Sequence, residues 1–292
     1  MIVPSYRGQE RVGGCLDSLG AQTASFDEFE AVVVQNGPQT GTREVVAAWR
    51  EAHPDFQLTY LETEVASVTN ARNLALNAAT GEYVTFVDDD DRVAPRFVEA
   101  LLAAAAADVV PVVIGSWVKG ETAGDFDHPA GPHRTWEYLR QFVGQPYTHA
   151  DIAIAMHPVW GKLVRTDVAR EVRFDDRLAL FADDTIFWLQ AVMRNDLRLV
   201  LTDLADDAAY LYWDRPGSLS RPDVAPSWDT HVRPALATMA ALSELNATTD
   251  PEFGAVGRAV AAFAGGKIAD YVEANPGDAA RVGDELRAIG WY

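Results

Sequence analysis

The chain has 292 residues, 48% of them hydrophobic, and a formal net charge of −19. This length fits one large domain or a domain with an appendage, and the hydrophobic content excludes a largely disordered chain. The negative charge argues against general binding to nucleic acid or anionic lipid, since both are polyanions. A phosphate-bearing ligand must therefore meet cations that are gathered locally.

The beginning of the chain alternates between strand-like and helix-like patterns. A strand at residues 2–4 is followed by a helix that turns Val12, Leu16 and Leu19 inward, with Cys15 packed among them. Such alternation builds parallel sheets, so we expect an α/β fold with a Rossmann-like, mostly parallel, right-handed sheet flanked by helices. Further strands are predicted at residues 29–34, 57–61, 83–87 and 108–114.

The stretch from Thr69 to Arg92 is the most informative part of the chain. Its first half predicts a helix with Asn70 as the N-terminal cap, and with Arg72 and Asn73 opposite the apolar face. A guanidinium there is placed to reach a diphosphate, to hold an acidic cluster, or to form a plain surface salt bridge.

Four consecutive carboxylates, Asp88 to Asp91, follow the strand at 83–87. Ligands of open α/β sheets lie beyond the carboxyl ends of the strands, and crowded carboxylates repel one another unless a cation offsets them. We therefore expect a divalent metal at this strand end. The alternative is a solvated acidic loop that caps the helix starting near Pro95.

Later segments continue the mixed pattern. Residues 119–133 predict a loop or flap, Trp136 marks a helix, and a strand is expected at 160–165. Thr166 is expected to cap a short helix that ends near residue 173, and another helix begins with Asp183 and Asp184. Two late strands are predicted at 197–201 and 208–213. After residue 222 the pattern is helical, with breaks near 246 and 275, so we expect a domain at 1–222 and a helical C-terminal extension at 223–292.

The single cysteine excludes an internal disulfide and fits a reducing compartment. No apolar run is long enough to span a bilayer, and the start of the chain lacks the basic and apolar regions of a secretory signal. We expect a cytoplasmic protein without a transmembrane segment, with peripheral attachment to the inner membrane face left open.

Six ordered motifs resemble the inverting family-2 glycosyltransferases, which have the GT-A fold. They cover residues 1–222 and read VPSYRGQERVGGCLDSL, VVVQNGP, NARNLALNAATGEYVTFVDDDD, WGKLVR, FADDTIFW and YWDRPGSLSR. The resemblance implies transfer of a sugar from a nucleotide diphosphate, most simply a UDP-sugar, to a glycan or lipid-linked acceptor. It also implies Mg²⁺ or Mn²⁺, which would offset the charge of the departing diphosphate. Nucleic acid is not an expected partner, and the helical tail is a candidate homodimer contact.

The acidic residues of these motifs take roles by resemblance. Asp90 is the expected direct metal ligand together with Asp88, although the run offers a second register through Asp89 and Asp91. Asp184 occupies the position of the base that deprotonates the acceptor hydroxyl, with Asp183 beside it. The alternative is that this second pair holds ordinary first-turn acids favoured by the helix dipole.

The remaining candidates contact the donor or the acceptor. Gln35 stands where most relatives have an Asp that reads the base, and an amide both donates and accepts, so the identity of the base stays open. Trp160, Lys162, Arg215 and Ser218 are candidates for the phosphate or acceptor side, with Trp160 alternatively in the core and Lys162 alternatively only flanking its strand. The full donor-nucleotide set is Pro4, Ser5, Tyr6, Arg7, Gln35, Asn36, Gly37, Asn70, Arg72, Asp88 and Asp89.

Two other functions compete with glycosyl transfer. An Asp-dependent phosphotransferase or phosphatase is suggested by the apolar residues before Asp88, but Arg92 stands where its motif requires Thr or Val. A non-catalytic relative that only binds nucleotide-sugars is the second alternative. A dinucleotide oxidoreductase is disfavoured because no G-x-G-x-x-G follows the opening strand, and an EF-hand lacks its glycine and closing Glu.

Overall fold

The structure is a computed structural model. It describes residues 1–106, 108–112, 115–119, 126, 131–132, 134–178, 182–202, 206–214 and 225–291. The predictions for Arg215, Ser218 and most of the 119–133 loop fall outside these residues. The expected boundary at residue 222 does too, so the division into two parts stays a prediction.

A parallel sheet begins the fold. It is formed by β1, β2 and β3, in the order β1-β2-β3, with Ile2 opposite Val32 and Ala31 opposite Leu58. Every residue of β2 is buried, as expected for a parallel strand with both faces covered. The three strands are β1 (Ile2–Ser5), β2 (Ala31–Asn36) and β3 (Leu58–Thr63).

Single bridges extend this sheet on the β1 side. Ile2 pairs in parallel with Phe86, two residues after β4 (Tyr83–Val84), and Lys162, two residues before β9 (Val164–Arg165), pairs antiparallel with Val112. With the antiparallel β4–β9 pair and the parallel β6–β10 pair, the strand order becomes β3-β2-β1-β4-β9-β6-β10. These strands are β4 (Tyr83–Val84), β6 (Val109–Val112), β9 (Val164–Arg165) and β10 (Arg198–Leu201).

A smaller mixed sheet lies beside the acidic loop. Its order is β5-β11-β7-β8, with β11 parallel to β7 and antiparallel to β5. It places Tyr210, at the start of β11, directly behind the carboxylates that follow β4. Its strands are β5 (Arg92–Val93), β7 (Gly115–Lys119), β8 (Gly131–Pro132) and β11 (Tyr210–Asp214).

Helices cover the sheets, and the core runs between the layers. α1 buries Val12, Cys15, Leu16 and Leu19, as predicted, and α3 packs small residues against β1 and β2. The helices preceding the tail are α1 (Val12–Gly20), α2 (Thr42–Ala52), α3 (Val68–Ala78), α4 (Phe97–Ala104), α5 (Arg134–Arg140), α6 (Thr166–Val172) and α7 (Asp183–Asn195). The predicted α/β architecture is confirmed, with antiparallel pairing at β5, β8 and β9 that the sequence did not predict.

Three local predictions were wrong. Ser67, not Asn70, caps α3, because the Ser67 hydroxyl accepts a hydrogen bond from the Asn70 backbone N–H at 3.2 Å. Thr166 is the first residue of α6 rather than its cap, and its hydroxyl donates to the Gly81 carbonyl at 2.6 Å. Arg72 does not lie on a solvent face but is 5% exposed.

The C-terminal part is helical, as predicted, and breaks at Asn246 and Asn275. Its elements are a π-helical turn (Trp228–Val232), α8 (Arg233–Glu244), α9 (Gly254–Ala274) and α10 (Ala279–Ala288). The region contributes to the main core through Leu242 and Phe253, and it also has its own small cluster around Met239 and Tyr271. Among the described residues, no helix has the length and apolarity needed to cross a bilayer.

Candidate active site

The candidate residues meet where β1, β2 and the β4 segment end. Asp88, the first of the four carboxylates after β4, pairs with Arg72 near the start of α3, and Arg72 also pairs with Asp183 and Asp184 at the start of α7. The loop after β1 contacts the same acidic segment through Ser5 and Asp89. Positions as far apart as 5 and 184 therefore form one site.

Two of the four carboxylates, Asp89 and Asp91, are occupied by hydrogen bonds and an ion pair within the protein. Asp89 accepts a hydrogen bond from Ser5 Oγ at 2.6 Å and pairs with Arg11 at 3.4 Å. Asp91 is 1% exposed and accepts from the Tyr210 hydroxyl and the Trp213 backbone N–H, each at 2.7 Å. Burial, with the charges of Asp90 and Asp88, raises the pKa of Asp91.

The alternating pair, Asp88 and Asp90, is more accessible. One third of the Asp88 side chain is exposed, and Asp90 is half-buried and lines a cavity of 260 Å³ with Arg11 and Arg92. Burial raises the pKa of Asp88, Arg72 opposes that shift, and Asp90 adds to it. Asp88 thus lies between the Arg72 guanidinium and the carboxylate of Asp90.

The four aspartates do not act as an N-terminal cap for α4. That helix starts at Phe97, after Arg96, while Asp89 and Asp91 bind groups on β1, α1 and β11. The capping alternative is therefore wrong for these two residues.

Arg72 joins the two acidic groups. Its Nη1 donates to Asp184 Oδ1 at 2.7 Å and to Asp183 Oδ2 at 3.0 Å, and its Nη2 lies 3.5 Å from Asp88 Oδ1. The guanidinium also stacks over Phe174, 5.2 Å from the ring centroid. Burial alone would lower the pKa of Arg72, but Asp184, Asp183 and Asp88 raise it, so the side chain stays charged.

Asp184 is held through both of its oxygens. Oδ1 accepts from Arg72, and Oδ2 accepts from the Val159 backbone N–H at 2.9 Å. About a quarter of its side chain remains exposed, whereas Asp183 is almost buried. Burial and then the charge of Asp184 raise the pKa of Asp183 to about 8, against the opposing effect of Arg72. The two neighbours therefore differ in accessibility, and Asp184 is the one that an acceptor can reach.

The two predicted nucleotide loops touch each other. A side chain at Gly37 would place its Cβ 2.8 Å from the Tyr6 ring, and the Gly37 φ angle is 85°, so glycine is required for this contact. Tyr6 is 44% exposed and the Arg7 guanidinium lies 5.5 Å from the centre of its ring. Asn36 is buried beside them.

Gln35 is locked in place. Its side chain is fully buried, and its amide nitrogen donates to the Pro38 carbonyl at 2.9 Å. Its amide oxygen accepts from the Tyr60 hydroxyl at 3.0 Å. The side chain thus supports the turn after β2, and the nucleotide-reading role by resemblance stays a prediction.

Two candidates for the acceptor side lie in the core. Lys162 is fully buried with its ammonium on backbone carbonyls, and its assignment to the phosphate or acceptor side stays a prediction. Trp160 is 8% exposed, and its ring stacks on Tyr210 at 4.3 Å, in agreement with the core alternative.

Pattern analysis missed Arg11 and Tyr210. The Arg11 guanidinium pairs with Asp89 and donates to the Tyr6 carbonyl. The Tyr210 hydroxyl accepts a hydrogen bond from the Asp88 backbone N–H and donates one to Asp91. The alternation of β11 was a usable signal, since it puts Tyr210 and Tyr212 on one face, and both rings stack with Trp160.

The carboxylates of the site are its candidate ligands for a divalent metal. Within the described ranges, no three His, Cys, Asp or Glu side chains are arranged to hold a metal ion. Mg²⁺ sites that also bind phosphates often use only one or two carboxylates, and the oxygen-only pair Asp88 and Asp90 matches that pattern. The chemistry of the two carboxylates therefore suits a divalent cation such as Mg²⁺ or Mn²⁺ that takes further oxygen ligands from a bound phosphate.

Known proteins are similar to this chain in sequence and in fold. The chain is 29% identical over 226 residues to the glycosyltransferase GlyA of Streptococcus pneumoniae, a match that covers 76% of this chain and 31% of GlyA. It superposes on TarS 1–349 of Staphylococcus aureus in complex with UDP-GlcNAc with a TM-score of 0.67 and 23% identity, covering 94% of this chain and 73% of that one. The mannosyltransferase PcManGT of Pyrobaculum calidifontis, in complex with GDP-Man and Mn²⁺, gives a TM-score of 0.62 at 21% identity, covering 98% and 77%.

These similarities agree with the arrangement of the strands and with the order of the motifs. The superpositions identify the fold, and GlyA is a much longer protein, of which this chain spans about a third. The sequence model of glycosyl transferase family 2 matches residues 1–168, more than half of the chain. The chain therefore belongs to glycosyl transferase family 2 and has the GT-A fold.

Proposed function

We propose that this protein transfers a sugar from a nucleotide diphosphate to an acceptor hydroxyl, with metal dependence and inversion at the anomeric carbon. The observation that carries the proposal is that Arg72 contacts both acidic groups of the site. Its Nη2 pairs with Asp88, one of the two carboxylates suited to a metal, and its Nη1 pairs with the accessible carboxylate of Asp184. Family membership supports the same reaction class.

In this proposal Asp184 is the general base. An inverting displacement requires a base that takes the proton of the acceptor hydroxyl as it attacks. Asp184 has both oxygens held, by Arg72 and by the Val159 N–H, so its orientation is fixed before an acceptor arrives. Asp183 is too buried to reach an acceptor and serves to complete the Arg72 contacts.

Asp88 and Asp90 would hold the metal in the same proposal. A bound Mg²⁺ or Mn²⁺ would offset the negative charge that builds on the departing diphosphate. The guanidiniums of Arg11 and Arg92, which line the cavity beside Asp90, are the local cations that an acidic protein needs in order to accept a phosphate-bearing ligand. TarS in complex with UDP-GlcNAc supports a UDP-sugar as the first donor to test.

The test is a panel of UDP-, GDP- and CDP-sugars, each with Mn²⁺ or with EDTA. Thermal stability should rise with a matching donor only when Mn²⁺ is present, by an amount that depends on the ratio of donor concentration to Kd. Nucleotide release should follow, and NMR of the product should show the inverted anomer. Binding without release across the panel would support the non-catalytic alternative instead.

The acceptor is proposed only by class, as a glycan or a lipid-linked glycan reached at the inner membrane face. A homodimer through the helical tail also stays a proposal. Light scattering of the purified chain at several concentrations tests the dimer, and flotation with vesicles carrying a lipid-linked glycan tests the peripheral attachment. An Asp-dependent phosphotransferase is not retained, because the family match assigns the chain to glycosyltransferases.

A further inference from the structure

Lys162 is a buried lysine whose ammonium is turned toward the backbone. Its side chain has no exposed surface, and Nζ donates to the carbonyl of Pro158 at 2.5 Å and to that of Trp160 at 3.1 Å. The ammonium also lies 5.1 Å from the centre of the Trp188 ring, one turn into α7. Burying a lysine is costly, so contacts this specific call for an explanation.

The two carbonyls flank a single residue, Val159. The Val159 N–H donates to Asp184 Oδ2 at 2.9 Å, on the side of the carboxylate opposite to Arg72. The Pro158 carbonyl and the Val159 N–H belong to the same planar peptide group, so the contact of Lys162 with that carbonyl constrains the direction of the N–H. The contact with the Trp160 carbonyl holds the backbone on the other side of Val159.

We propose that Lys162 is a positioning residue for Asp184, acting through the Val159 N–H to hold the carboxylate toward the acceptor. This inference rests on the proposed role of Asp184 as the base. Burial lowers the pKa of Lys162 to about 7, with the charge of Asp184 opposing that shift, so the two groups also interact electrostatically.

The test compares Lys162→Met with Arg170→Met. Methionine keeps the apolar stem against Trp188 but donates no hydrogen bond. Arg170 is a matched control, since its guanidinium also binds two backbone carbonyls, those of Leu76 and Ala79, at 2.8 and 2.5 Å. These contacts join α6 to the end of α3 and do not involve Val159. The measurements are kcat and KM for sugar transfer and the hydrogen exchange of the Val159 amide by NMR.

For Lys162→Met we expect kcat to fall about tenfold or more, because misdirecting a catalytic group costs rate rather than binding. The donor KM should stay within about twofold, and the Val159 amide should exchange about tenfold faster. Arg170→Met should leave kcat and Val159 exchange unchanged. Lys162→Gln keeps an amide NH₂ group as a hydrogen-bond donor, so it should recover part of the loss in kcat and part of the Val159 protection. It replaces the methionine variant as the test if that variant does not fold.

Wild-type kcat and wild-type Val159 exchange in a folded Lys162 variant would overturn the inference, and so would a parallel loss in Arg170→Met. The exchange measurement needs no turnover. If the wild-type protein transfers no sugar, the proposed function fails, while unchanged Val159 exchange is what rejects the role of Lys162.

Discussion

Arg72 Nη1 lies 2.7 Å from Asp184 Oδ1, and the guanidinium is almost completely buried. The two residues are far apart in sequence, and their bond joins α3 to the start of α7, while the second contact of Arg72, with Asp88, joins α3 to the acidic loop. Three carboxylates surround the one cation. Arg72 is therefore central to both the stability and the geometry of the site.

Arg72→Met should destabilise the metal-free protein by about 3 kcal/mol or more, because it leaves buried carboxylates without their partner. Urea unfolding measures this change. Arg287→Met is the control, since Arg287 forms an exposed pair with Asp284 and should change stability by less than about 1 kcal/mol. Equal losses in the two variants would mean that Arg72 is an ordinary surface residue in solution.

Asp90 and Asp91 should separate metal binding from stability. Asp91→Ala removes the acceptor of two buried hydrogen bonds and should cost about 2 kcal/mol of unfolding free energy. Asp90→Ala should change stability much less but abolish the stabilisation by donor and Mn²⁺. Isothermal calorimetry with Mn²⁺ and UDP, beside urea unfolding, checks both. The reverse result would assign the metal to the second register, Asp89 and Asp91.

The raised pKa of Asp183 predicts a pH dependence of stability. Its pKa is about 8 in the folded protein and near the ordinary 3.8 in the unfolded chain, so between these values the folded state binds more protons. Stability should therefore fall as pH rises through this window, by at most about 1.4 kcal/mol per pH unit for one proton. Urea unfolding of metal-free protein from pH 5 to 9 measures the slope.

Asp183→Asn is the control for that slope, because an amide does not titrate and can still accept from Arg72. The variant should show a flatter profile than the wild-type protein over the same range. An equally steep profile in the variant would place the titrating group elsewhere.

Gln35 is expected to support the turn after β2 rather than to discriminate between bases. Gln35→Ala removes the donor to the Pro38 carbonyl and should weaken UDP and GDP by a similar factor, about fivefold for one hydrogen bond. Calorimetry with both nucleotides measures the two factors. A loss confined to UDP would instead show that Gln35 reads the base.

The sequence predicted the fold well because its signals are local. The alternation of strands and helices and the apolar face of α1 depend on neighbouring residues, and the structure confirms them. The strands of the second sheet were harder, since β5 and β8 have two residues each and pair with strands distant in sequence. Two residues are too few for a periodic pattern.

The burial of Arg72 and Lys162, which the sequence did not predict, has one physical cause. Periodicity assigns charged side chains to solvent, which is why Arg72 was expected opposite the apolar face. Both Arg72 and Lys162 are buried because partners far along the chain, or backbone carbonyls, offset the cost of burial. Such partners cannot be identified from spacing within one helix.

The most direct test of the account is Asp184→Asn assayed with Mn²⁺ and the matching donor. Donor Kd should stay within about twofold of wild type, since Asp184 is proposed to act only on the acceptor, while sugar transfer should fall by about a hundredfold or more, the usual contribution of a general base. Wild-type transfer in this variant would remove Asp184 from the mechanism and contradict the proposed reaction at its centre.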